Sequence, residues 1–192
     1  MNKRLLLTLL AFTIYTVVSA QELGTYQKLD IGINGIGMSL EVPVSEKIVI
    51  EPYIGVGPSY DLNGNGDALA DKIDWHWALL EPSFHGAVYG KFLYNRSSRA
   101  EKGKSLLFNS GNFIGAKVKY ISKSLSDPQF YSNTLLFNLN WGGQRNIGKH
   151  WAYSYSVGIG YGRNLDQSYG LFYPAFDIKI TYVLPFFSKG SK

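Results

Sequence analysis

KHWAYSYSVGIGYGR, residues 149–163, puts Trp151, Tyr153, Tyr155, Val157, Ile159 and Tyr161 at alternate positions, with Ala152, Ser154, Ser156, Gly158, Gly160 and Gly162 between them. Successive side chains of a β-strand point to opposite faces, so this segment carries one large aromatic and apolar face and one small, mostly polar face. In a sandwich the aromatic face would pack on a second sheet. Here other segments repeat the pattern with no second set of residues to cover them. The oily faces are therefore expected to meet lipid on the outside of a barrel.

The same alternation recurs along the chain. Phe176, Ile178, Ile180 and Tyr182 oppose Asp177, Lys179 and Thr181; Leu135, Phe137, Leu139 and Trp141 oppose Leu136, Asn138 and Asn140; Ile114, Ala116, Val118 and Tyr120 oppose Gly115, Lys117 and Lys119. Between Ile48 and Leu62 the outward set is Ile48, Ile50, Pro52, Ile54, Val56, Pro58 and Tyr60, and its prolines argue against full pairing, because Pro cannot donate to a ladder. Trp75–Tyr94 forms a further long segment, with Leu80, Pro82, Phe84, Val88 and Phe92 opposite Glu81, Ser83, His85, Tyr89 and Lys91. The segment Leu29–Val42 changes phase at Asn34-Gly35, the mark of a bulge or a tight turn. Seven strands are plain, whereas a bacterial single-chain barrel has an even number. A short strand from about Thr25 to Ile33, turning at Asn34-Gly35, is expected to complete eight. Residues 43–47 and 146–149 suit short periplasmic turns, and the polar stretches 63–72, 122–132 and 164–171 suit external loops.

The chain opens with Lys3 and Arg4, an apolar run of 14 residues from Leu5 to Val18, and a small-residue end, Val18-Ser19-Ala20. That is the layout of a secretory signal peptide, residues 1–20, cleaved after Ala20; an uncleaved anchor would want a longer run. Residues 21–192 then form the barrel domain. Removing the signal takes two cations and no acid from the 19 and 14 present, leaving a net charge of about +3. So mild a charge gives no footing for nucleic acid. The absence of cysteine excludes disulfides, thiolate metal sites and a lipid-modified N-terminal cysteine. With 14 Tyr and 21 Gly and no later apolar run long enough for a helical span, the composition fits an outer-membrane barrel, whose partners are the surrounding lipids.

The inward set collects Glu41, Glu51, Glu81 and Asp177 against Lys91, Lys117, Lys119 and Lys179, with His85 among them. An eight-stranded barrel is just wide enough for side chains to fill, so these charges are expected to pair into a plug. Ionisable groups at membrane depth also keep a proton or ion pathway open. His76, between Trp75 and Trp77 at a strand end, and His150, beside a short turn, have no serine nucleophile spaced with them, so no catalytic site can be assembled. Asp61, Asn63, Asn65 and Asp67 follow the first positions of a calcium loop, with Gly66 at the sixth, but Lys72 stands where the closing Glu belongs. An Asn-Gly-rich surface loop explains the same residues, and no cofactor is called for.

Between Asn95 and Gly111, Arg96, Arg99, Lys102 and Lys104 form a basic connection that can touch anionic headgroups or simply be solvated. Residues 93–114, LYNRSSRAEKGKSLLFNSGNFI, and residues 29–57, LDIGINGIGMSLEVPVSEKIVIEPYIGVG, resemble segments of small outer-membrane β-barrel proteins of unknown function. The resemblance runs through most of the mature chain and implies fold and location, with no activity attached. The sequence thus reads as an all-β, transmembrane, antiparallel up-and-down barrel of eight strands in the outer membrane, a structural or interaction protein. Its protein partner is not legible. The alternatives are a narrow transporter or channel, and a lipid-modifying barrel enzyme.

Overall fold

The computed structural model describes residues 23–62, 75–126, 132–167 and 169–185. Residues 1–20, expected to be a signal peptide, and the loop residues Asn63, Asn65 and Asp67 lie outside them. Eight strands follow in chain order: β1 Tyr26–Gly32, β2 Gly35–Pro43, β3 Ile48–Leu62, β4 Trp75–Leu93, β5 Gly111–Ser124, β6 Thr134–Ile147, β7 Trp151–Asn164 and β8 Gly170–Val183. Each pairs antiparallel with the next, and β1 pairs with β8, closing the barrel in strand order. Among the described residues no helix is long and apolar enough to cross a membrane, which bears only on helical spans.

The phase change in the first segment is a hairpin. β1 ends at Gly32 and β2 starts at Gly35, with Ile33 and Asn34 as the loop and Gly32 paired to Gly35. Gly35 takes φ +106°, and a side chain there would collide with the Val56 carbonyl, so two separate constraints exclude a Cβ. The eighth strand inferred from the strand parity is therefore present, though only seven residues long.

That short hairpin leaves the wall incomplete on one side. β1 pairs with β8 only from Lys28↔Val183 to Gly32↔Lys179, extended by a bond at each end, from the Ile33 N–H to the Ile178 carbonyl and from the Leu184 N–H to the Gln27 carbonyl. β2 pairs with β3 only as far as Ile36↔Val56. Beyond the tip, residues 57–62 of β3 and 170–177 of β8 flank a gap, with no ladder between them among the described residues. Two prolines sit where this demands them. The Ile178 carbonyl faces β1, so by strand alternation Pro174 turns its nitrogen to the gap; the Val56 carbonyl faces β2, so Pro58 does likewise. Each removes one orphan donor from an edge. Pro52 sits in the break of the β2–β3 ladder between Ser39↔Tyr53 and Val42↔Ile50.

The outward and inward faces separate as the alternation requires. Ile159, Phe172 and Ile178 are 64%, 70% and 57% exposed, while inward neighbours such as Gly160, Leu171 and Thr181 are buried. Tyr60, assigned to the outer face by parity, is instead buried inside. Pro58 pairs with Pro82 but the next residue, Ser59, pairs with Ala78, and this irregularity resets the phase. Short connections 44–47 and 148–150 share one end of the barrel with the longer stretch 94–110, and β3, β5 and β7 end at the opposite one. Substituting Gly35→Ala is expected to cost about 1–2 kcal/mol or more, measured as the denaturant midpoint of the refolded barrel, because Ala is strained at this φ before the Val56 clash is added.

Candidate functional site: the barrel lumen

Parity delivers six buried or nearly buried charges to the turn-end half of the lumen. Lys28 and Asp30 come from β1, Glu41 from β2, Glu51 from β3, Lys91 from β4 and Lys179 from β8. Three lysines thus meet three carboxylates. Glu51 is the hub: its Oε2 accepts from Lys28 Nζ at 2.7 Å and Lys91 Nζ at 2.6 Å, and its Oε1 from Lys179 Nζ at 2.5 Å. Lys28 also reaches Glu41 at 2.7 Å, and Lys179 reaches Asp30 at 3.2 Å. Neutral groups fill the remaining positions. Ser39 and Thr181 hydroxyls donate to Asp30 at 2.5 Å each, and Gln144 on β6 donates to Glu41 at 3.0 Å while accepting from Lys91 at 3.0 Å. A carboxylate opposite another carboxylate, as Glu41 is opposite Glu51 in the β2–β3 register, would repel it without the shared lysines.

A second, smaller layer lies toward the loop end. Lys117 and Lys119, two apart on β5, share the inner face with Asp177 on β8 and with Asn34 at the hairpin tip. Lys117 pairs with Asp177 at 2.7 Å, Asn34 Nδ2 donates to the other Asp177 oxygen at 2.8 Å, and Asn34 Oδ1 accepts from Tyr60 at 2.8 Å and Lys119 at 3.1 Å. Lys117 lies 4.6 Å from the Tyr89 ring centre and Lys119 5.2 Å from that of Tyr60. His85 is fully buried nearby, its Nε2 3.0 Å from the Pro58 carbonyl.

A cluster of buried apolar residues lies toward each end of the lumen. At the loop end Tyr60, Ile121, Leu136, Leu171, Tyr173 and Ala175 form an apolar cluster. At the turn end Tyr26, Phe108, Ala152 and Val183 pack together, with the Tyr26 and Phe108 rings edge to face at 5.4 Å. Phe108 belongs to the basic connection, which forms a short helix, α1 Arg96–Glu101, and then folds back under the barrel. Phe108 and Asn109 take φ of 54° and 51°, a left-handed conformation held by three contacts. The Phe108 carbonyl accepts from Gln144 at 2.6 Å, and the Asn109 amide exchanges two bonds with Gly24 at 2.9 and 2.8 Å. Arg96 is buried against this fold, which departs from the solvated turn allowed for it, and burial lowers its pKa from the ordinary value. At the opposite end Asp166 accepts from the Asn133 N–H at 2.8 Å and is held below the usual carboxylate range by that bond, tying two loops together.

Of the expected lumen charges, Glu41, Glu51, Lys91, Lys117, Lys119, Asp177 and Lys179 meet in these two layers. Glu81 stands apart beside the β4 irregularity, accepting from Ser124 Oγ at 2.9 Å. Lys28, Asp30, Asn34 and Gln144 were not singled out in the sequence, although Leu29 and Ile31 facing outward already place Lys28 and Asp30 within. Asp61 and His76 are paired residues of β3 and β4, and His150 lies beside Tyr182 at the turn end, far along the chain from either. Among the described residues no group of three His, Cys, Asp or Glu could hold a metal ion. No family model, curated protein or solved structure matches the chain.

Removing the hub tests this geometry. Glu51→Gln leaves three lysines facing two carboxylates, and an uncompensated buried charge typically costs about 3–5 kcal/mol. The exposed Glu101→Gln on α1 is expected to shift stability by less than about 0.5 kcal/mol. Denaturant unfolding of the two variants side by side checks the difference.

Proposed function

We propose that this chain is a small outer-membrane β-barrel without a catalytic site, its lumen sealed by its own ion pairs. It serves as a structural or interaction protein of that membrane. The observation that carries the reading is the inverted polarity of the wall: aliphatic and aromatic side chains stand exposed outside while charged ones are buried within. In water such a wall would leave a continuous apolar surface uncovered, far beyond ordinary patches. In a bilayer it is the expected exterior. Aromatic residues gather toward the turn end, where Trp141 Nε1 donates to Tyr94 at 2.8 Å and Trp151 packs on Tyr182 at 5.0 Å, as in a belt at the headgroup level. On this reading the turn end faces the periplasm, the loops face outward, and the export signal is removed after Ala20. The apolar clusters packed toward the two ends of the lumen weigh against a continuous pore.

Ile178 sits near the middle of β8 and is exposed. Ile178→Arg is expected to cost about 2–4 kcal/mol in lipid vesicles, by the penalty for a cation at the bilayer midplane. A water-soluble barrel would tolerate the same surface change within about 0.5 kcal/mol. Equal stability of the variant and wild type in vesicles would overturn the membrane reading. In planar bilayers the wild type is expected to carry no current of porin size, and a stable large conductance would promote the channel alternative over the sealed barrel.

A further inference from the structure

With apolar clusters packed toward both ends of the lumen, the approach to its interior that the strand pairing leaves is sideways, through the gap between β3 and β8 above the hairpin tip. Two cavities adjoin there and share Asn34, Lys117 and Asp177. One, of about 50 Å³, also touches Tyr53, Tyr89 and Lys119, and borders the Asp30 and Glu51 carboxylates, both of which Lys179 already holds. The other, of about 30 Å³, is bounded by Ile33 and by the edge strand from Tyr173 to Asp177. Each has room for a few waters, hence for a carboxylate but not for a sugar or a diester headgroup.

The charge of this layer is unbalanced. Asp177 is taken by Lys117 and Asn34, so two ammonium groups share one carboxylate. Lys119 is only 5% exposed and lies against the Asn34 side-chain Oδ1 and the Tyr60 ring; among the described residues no carboxylate lies within ion-pair distance of it. An ammonium offers three donors, and a buried cation calls for a counter-ion. On the outer side of the gap stand Pro174 and Phe176, both exposed. An occupant must therefore carry a negative charge at one end and an apolar chain at the other.

We propose that the gap admits a single-chain fatty acid, its carboxylate seated in these cavities against Lys119 and its acyl chain leaving between β3 and β8 along Pro174 and Phe176. The missing N–H groups of Pro58 and Pro174 then have a purpose beyond blunting edges, since each removes a donor that an acyl chain could not satisfy. The proposal rests on the membrane-barrel reading.

The test uses the refolded barrel in nanodiscs of zwitterionic phosphatidylcholine, with carboxyl-13C-labelled palmitate as probe. Expected are saturable binding of one palmitate per barrel and a shifted carboxyl resonance. Hexadecanol, which lacks the charge, and acetate, which lacks the chain, should bind at least about tenfold more weakly, the scale of one charge-assisted hydrogen bond. Lys119→Met should lose about tenfold or more in affinity. Ala175→Leu, which narrows the smaller cavity from the β8 edge and leaves Lys119 in place, should weaken binding too. The proposal is overturned by an inserted barrel that binds no palmitate saturably, by equal affinity for palmitate and hexadecanol, or by affinity unchanged in a folded Lys119→Met. Should that variant not fold, the palmitate and hexadecanol comparison on the wild type decides alone. A barrel that fails to enter the nanodisc at all defeats the membrane reading, an outcome distinct from an inserted barrel that ignores palmitate.

Discussion

The Glu51 carboxylate, held by three lysines from three different strands, is the constraint on which the rest of the interior depends. Taking an ion out of water costs several kcal/mol even after relaxation, and the cost is offset only when nearly every lone pair and proton finds a partner. That condition dictates the neighbours. Ser39, Thr181 and Gln144 are hydroxyl and amide groups because the carboxylates of Asp30 and Glu41 and the Lys91 ammonium still had unfilled positions. It also fixes register. Sliding one strand by a residue would turn its charge to the outer face and leave its partners stranded, so the network specifies the pairing of β1, β2, β3, β4 and β8 more sharply than an apolar filling would.

The wall follows from the same alternation, but the gap does not. A strand of seven residues at β1, followed at once by Gly35 in a conformation that only glycine adopts readily, ends the hairpin halfway up the barrel. Its tip then becomes part of the lumen: Asn34 bonds to Asp177, Tyr60 and Lys119, joining three strands to the hairpin at the point where the wall stops. The prolines on either side mark the consequence on the backbone, and the unpaired charge of Lys119 marks it in the interior. One short hairpin thus accounts for the gap, the cavities and the layer of unbalanced charge.

Strand identity and face were legible wherever period-two alternation runs unbroken, and the even-number rule converted a phase change at Asn34-Gly35 into an eighth strand. Lys28 and Asp30 were within reach of the same logic once that strand existed. Tyr60 and Glu81 were not, because an irregularity between Pro58 and Ser59 resets the phase and no residue pattern announces on which strand the extra residues fall. The closing of the turn end was hidden for another reason. Phe108 and Asn109 adopt left-handed backbone angles that neither residue prefers alone, and only their contacts with Gln144, Tyr26 and Gly24 hold them there.

A charged lumen also has a consequence for the unfolded chain that an apolar one lacks. Were the inner face aliphatic as well, β8 and its neighbours would be uninterrupted apolar runs of 14 residues, ready to pair with one another or with other chains before the barrel closes. Lys179 and Asp177, placed between Phe176, Ile178 and Ile180, break that run every second residue while costing the folded barrel little, because each finds its partner inside. Buried ion pairs are a weak source of stability, and well-packed hydrophobic residues often replace them without loss. Their retention here is therefore better explained by what they prevent before folding and by the register they impose during it. Among the described residues Lys119 has no carboxylate to set a register with, and its place beside the gap in the wall is the ground for the separate role proposed for it.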